Sequence, residues 1–238
     1  MNTNVELLKD FVTERFMDKQ KRRQSCLVMA LENARRLSGR DKDTGKSREA
    51  CTYGNNEKYD VESKKSSGYI PELYESCLNP NNSFGTDDTL ICGLIHYLIL
   101  LDLIGNVFCS KKNAIHKALE EFSSIFDKKE QDAIYALRCC LAHNYGLTNK
   151  NENNQGRQHK FTLLLNDEEE MIKFPETSWK GDYTNKDETM STQIDVCKLI
   201  DAIEEAYQNL KEMAEAGNLE LCLDGKENEL MARFTICT

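Results

Sequence analysis

The feature that most constrains the fold is the apolar run over residues 90–108, LICGLIHYLILLDLIGNVF, in which His96 and Asp102 are the ionisable interruptions. A run of that length can span a bilayer. Two ionisable groups inside it, and no basic flank on its N-terminal side, argue instead for the buried central helix of a bundle. Thr86 or Asp87 stands where an N-cap is required. With 238 residues, 39% of them hydrophobic, the chain has material for one large domain around that helix.

The flanking patterns are mostly helical. Val5, Leu8, Val12 and Phe16, then Leu27, Leu31, Ala34 and Leu37, recur at helical spacing, so residues 5–37 read as one long helix with a charged middle or as two, ended by Gly39. Residues 113–126 and 128–144 give two more helices, the second striped by Ile134, Leu137, Leu141 and Tyr145 and closed by Gly146. Residues 191–217 carry the best stripe, with Thr192 three residues before Asp195 as a capping-box variant. Residues 161–165 and 171–174 read as a β-hairpin around an acidic turn, and residues 219–223 and 230–236 as two further strands. Residues 40–68 and 147–160 are polar and read as loops, the first of them mobile. The expectation is a mainly α protein: a bundle core over residues 1–147, with residues 148–238 adding a small antiparallel element to the same domain.

Composition removes several classes of function. The ten cysteines form no C-x-x-C pair and several sit at apolar positions, the pattern of reduced thiols in a cytoplasmic protein. Four scattered histidines offer no zinc-ligand cluster, and neither a metal nor a cofactor is expected. The polar start, residues 1–6, is not that of a secretory leader. A net charge of −9 disfavours a protein that coats nucleic acid, while leaving room for one that handles a single phosphate with local positive charge. Gly45-Lys46-Ser47 invites a phosphate-loop reading, but Arg40 occupies the place of the first glycine and no apolar strand precedes it. His96 reads as a hydrogen-bonded core histidine, His116 as a surface one near Lys111, Lys112 and Lys117, and His159 as a loop residue.

One stretch carries chemistry: Leu137-Arg138-Cys139-Cys140-Leu141-Ala142-His143-Asn144-Tyr145-Gly146. An arginine followed by a histidine is commonplace, and the ordinary reading is an arginine snorkelling to a surface carboxylate and a histidine capping a helix end. Four intervening residues, a tyrosine two positions later and a late bundle helix make the pattern more particular. It resembles the R-x4-H-x-Y form of the signature of HEPN domains, helical bundles found in bacterial toxin–antitoxin and defence ribonucleases. The resemblance covers residues 90–147. It implies a HEPN-like bundle, an RNA substrate, a homodimer and a nucleotidyltransferase-type antitoxin as partner. Arg138 and His143 would be the catalytic residues. Asn144 and Tyr145 would be accessory, Tyr145 matching the tyrosine that receives nucleotide adducts in paired toxins. Where family members carry a polar residue after the arginine, this chain has Cys139.

Those residue types suit metal-independent RNA cleavage. The 2′-hydroxyl is a built-in nucleophile, a histidine carries protons near neutrality, and an arginine offers fixed charge and a forked donor to the phosphate. Five residues advance a helix by about 500°, leaving Arg138 and His143 roughly 140° apart around the axis. The expectation is therefore that the pair converges through helix unwinding or across a dimer axis, the latter being what the resemblance implies.

Overall fold

The computed structural model describes residues 3–18, 23–46, 84–144, 146–151, 157–165 and 170–237. Helix α1 (Thr3–Thr13) leads into an antiparallel hairpin, β1 (Phe16–Asp18) and β2 (Arg23–Ser25), and then α2 (Cys26–Leu37). Of the two readings of residues 5–37, the structure has two helices, and the charged segment between them is a break with strand on either side, with residues 19–22 outside the described residues. Ser25 fixes the restart: its hydroxyl accepts from the Val28 N–H at 3.3 Å and donates to the Phe11 carbonyl at 2.6 Å, tying α2 to α1.

Helix α3 (Phe84–Ile104) is the centre of the molecule and runs directly into a π-helical turn, Gly105–Cys109. It is long and apolar enough to cross a membrane, and Leu94, Tyr97, Leu98, Leu100, Leu101 and Ile104 are buried in protein. Leu8 and Phe11 of α1, Leu27 and Leu31 of α2, and residues of the later helices close around it in one cluster. Side chains of residues 86 and 87, the expected caps, lie outside the described residues. The π turn exists because α4 (Ala114–Phe122) starts against it. A Cβ on Gly105 would lie 1.9 Å from the Ala114 carbonyl oxygen. Gly105→Ala is therefore expected to cost about 1–3 kcal/mol. Urea unfolding measures this, and an unchanged midpoint would refute so close an approach.

Helix α5 (Lys128–Asn144) begins on a reciprocal capping box. Asp127 accepts from the Glu130 N–H and Glu130 from the Asp127 N–H, both at 2.8 Å. Beyond it come β3 (Thr148–Asn149), β4 (His159–Leu164), β5 (Ile172–Lys173), β6 (Thr192–Asp195) and helix α6 (Val196–Glu215). Their order is β3-β4-β6-β5, with β4 and β6 parallel and the other pairs antiparallel. The expected hairpin is corrected here: both its strands exist, but β6 lies between them. Residues 192–195, expected as the first turn of the helix, are extended because Thr192 and Ile194 alternate inward with the sheet. The cap is Asp195, which accepts from the Lys198 N–H at 3.0 Å, rather than Thr192.

The tail departs from expectation too. Residues 219–223 form no strand, and the Cys222 N–H donates to the Val107 carbonyl at 2.8 Å. Helix α7 (Lys226–Arg233), supported by a Glu229–Arg233 pair one turn apart, precedes β7 (Thr235–Cys237). Strand β7 adds to β2, so the two ends of the described chain share a sheet ordered β1-β2-β7. The protein is mainly α, with two small sheets instead of one antiparallel element.

Candidate functional site

The end of α5 brings Arg138 and His143 together within one chain. Nη1 of Arg138 lies 3.0 Å from Nε2 of His143. Treating the two as points on a cylinder hid this contact. Helical side chains lean back toward the N-terminus, so the ring of His143 returns along α5 toward the residue before it, and the long arginine side chain spans the remaining angle. A guanidinium only donates, so Nε2 is the acceptor. His143 is exposed, whereas Arg138 keeps only 22% of its side chain accessible.

Asp102 holds the other end of the guanidinium. Its Oδ2 accepts from Nη2 at 2.5 Å, linking α3 to α5. The Asp102 carboxylate within the apolar run had signalled only that the run was no membrane span. A carboxylate there also needs a partner, and that signal could have led to Arg138. Nε of Arg138 is buried with no hydrogen-bond partner among the described residues, while one hydrogen on each terminal nitrogen stays uncommitted. Thus the ordinary reading of the arginine, a pair with a carboxylate, and its contact with the histidine are both realised. Asn144 is the last residue of α5, its side chain lies outside the described residues, and so does Tyr145.

A second polar group continues along the same face of α5. Asp132 Oδ1 accepts from Nε of Arg157 at 2.9 Å and meets Nε2 of His116 at 3.0 Å. Burial pushes the Asp132 carboxyl up, but the hydrogen bonds from Arg157 and His116 outweigh it and hold the carboxyl below its usual range. His116, expected at the surface, is 7% exposed beneath Tyr135, because it lies on the apolar side of α4 facing α5. The guanidinium of Arg157 stacks 4.2 Å from the centroid of the Tyr135 ring. Cys139, one turn on, interacts with Tyr135: with burial, it pushes the phenol above its usual range. His159 is also corrected. It is no loop residue but the buried start of β4, its Nδ1 2.9 Å from Thr192 Oγ1. His96 is half-buried, with Nδ1 2.8 Å from the Cys92 carbonyl.

Elsewhere, a cleft of about 410 Å³ opens between residues 40–46 and α6. Arg35 grips Glu204 through two bonds of 2.8 and 2.7 Å and donates to the Lys42 and Asp43 carbonyls, while Tyr97 donates to the same carboxylate. Arg40 is buried against the Gly45 carbonyl and Asp201. The expected mobile loop is therefore a fixed turn over residues 40–46, and residues 47–68 lie outside the described residues. Gly45 has φ +70°, and a Cβ there would lie 2.4 Å from Glu204 Oε2. A carboxylate against that backbone is the opposite of a phosphate cradle, and the arginine donors beside it are already engaged.

Among the described residues no group of His, Cys, Asp and Glu is arranged to hold a metal ion. No family model matches the chain, no curated protein does, and no solved structure does.

Proposed function

We propose that the chain is a metal-independent endoribonuclease of HEPN type, acting in the cytoplasm as a homodimer, in toxin or defence systems. The observation that carries this reading is the 3.0 Å contact between Arg138 and His143 at an accessible helix end. A scissile phosphate entering there draws the guanidinium onto its oxygens through the uncommitted N–H groups. That frees Nε2 of His143 to take the proton of the 2′-hydroxyl as the hydroxyl oxygen attacks phosphorus. As the bond from phosphorus to the 5′-oxygen breaks, that oxygen takes a proton from water, and the product end is a 2′,3′-cyclic phosphate. Ile99, one turn before Asp102, leaves 41% of its surface exposed, which supplies apolar area beside the site for a second copy.

The purified protein is expected to cut a mixed RNA pool in the presence of a chelator and to leave cyclic phosphate ends. An uncut pool, or cleavage that a chelator abolishes, would sink the assignment. The Asp102–Arg138 pair favours one rival reading, a catalytically silent HEPN-like module that binds a protein or nucleotide partner, because the carboxylate already neutralises the guanidinium. An inert dimer with Arg138 locked on Asp102 is its signature.

A further inference from the structure

We propose that Arg157 is a second phosphate-binding residue, which holds a phosphate next to the scissile one on a single-stranded RNA. The inference rests on the nuclease reading for the identity of the strand, and on independent geometry for the binding group.

Arg157 is held as a tool would be, by one end. Among the described residues only its Nε is used, on Asp132 Oδ1. That carboxylate is itself fixed by His116 from α4, and the guanidinium plane rests on the Tyr135 ring. Stacking and a single anchored nitrogen settle the plane's position. The two terminal nitrogens, with four N–H groups, meet no hydrogen-bond partner among the described residues. The side chain keeps 19% of its surface exposed. A purely structural arginine at a carboxylate commonly forks two nitrogens onto it, and this one sets a single nitrogen on Asp132.

Placement joins it to the first site. Tyr135, beneath Arg157, precedes Arg138 by three residues and so lies on the same face of α5, about one turn away. The backbone carries Arg157 to the same end of the bundle: the Asn149 side-chain amide, just after α5, donates to the Arg157 carbonyl at 2.6 Å. Two guanidinium groups that both act on Tyr135 suit neighbouring phosphates of an extended strand, with Arg138 at the reacting one. This local pair of cations also answers how an acidic chain could hold RNA.

The test uses the full chain and a short 2′-O-methyl RNA, which binds but cannot be cut, alongside the matching unmodified RNA. Arg157→Ala is expected to weaken binding of the uncleavable strand about tenfold and to reduce the slope of log K against log salt by about 0.7, one phosphate contact on a single strand. Arg157→Lys should restore the slope but not the full affinity, since charge returns without the fork. On unmodified RNA, KM rises while kcat holds, and a dinucleoside monophosphate, which has no neighbouring phosphate, is cut by Arg157→Ala as by the parent. Equal binding and equal slope in the two proteins would overturn the proposal, as would a parent chain that binds no RNA. If the parent binds in an Arg157-dependent way and cuts nothing, the nuclease reading fails and the binding site stands. Matching thermal melting of all variants shows that loss of the Asp132 partner has not unfolded them.

Discussion

Glu204→Ala is expected to destabilise the protein by about 3–5 kcal/mol, since it removes one side of a buried ion pair. The carboxylate receives both arms of Arg35 and the Tyr97 hydroxyl, and among the described residues neither donor meets another carboxylate. Burial, and then the charge and hydrogen bond of Glu204, push the Tyr97 phenol far above its ordinary range, so Tyr97 remains a donor at any working pH. Without Glu204, the guanidinium of Arg35 stays in a site where its side chain is only 9% exposed, held by two carbonyls of the 40–46 turn. Urea unfolding should show the midpoint falling with an unchanged slope. Arg35→Met combined with Glu204→Leu should recover most of the loss, because apolar replacement removes the desolvation penalty along with the attraction. A loss below about 1 kcal/mol in Glu204→Ala would mean that water reaches the pair and that the turn is not closed over it.

The same network explains where sequence reading stopped. The helices of the core were legible because their apolar stripes pack on each other, and the stripe of α6 needed no partner to be recognised. The sheet was not legible, because a strand is specified by its neighbour. Residues 161–165 and 171–174 looked like a hairpin, and residues 192–195, which separate them, ran without a break into a helical stripe. Residues 40–46 looked like loop because the two arginines that hold them are paired with acids far along the chain, Arg35 of α2 with Glu204 at a separation of 169 residues and Arg40 with Asp201. In the candidate site, Arg138 and His143 were legible as a spaced motif, but their meeting was not, since angular position on a helix ignores side-chain reach. Arg157 was invisible for the same reason as the turn: its anchor, Asp132, lies 25 residues back on another element.

His143→Ala and Arg138→Ala are each expected to lower kcat for RNA cleavage by about 10²–10⁴, the usual range for a lost proton carrier or a lost charge on the reacting phosphate. The contact between them makes a stronger demand. Because the two side chains touch, they work as a unit, and the double variant should be little worse than the poorer single one. Asp102 separates positioning from chemistry. Asp102→Asn keeps a hydrogen-bond acceptor for Nη2 but removes the charge that competes with the phosphate, so RNA binding should hold or tighten while the fold is kept. Asp102→Ala instead frees the guanidinium from α3, and kcat should fall because Arg138 is no longer aimed at the site. Single-turnover cleavage and thermal melting on the five variants check the whole pattern. Independent, additive losses from Arg138 and His143 would show that the contact has no role in catalysis. Cleavage that survives His143→Ala would assign the activity to another group altogether.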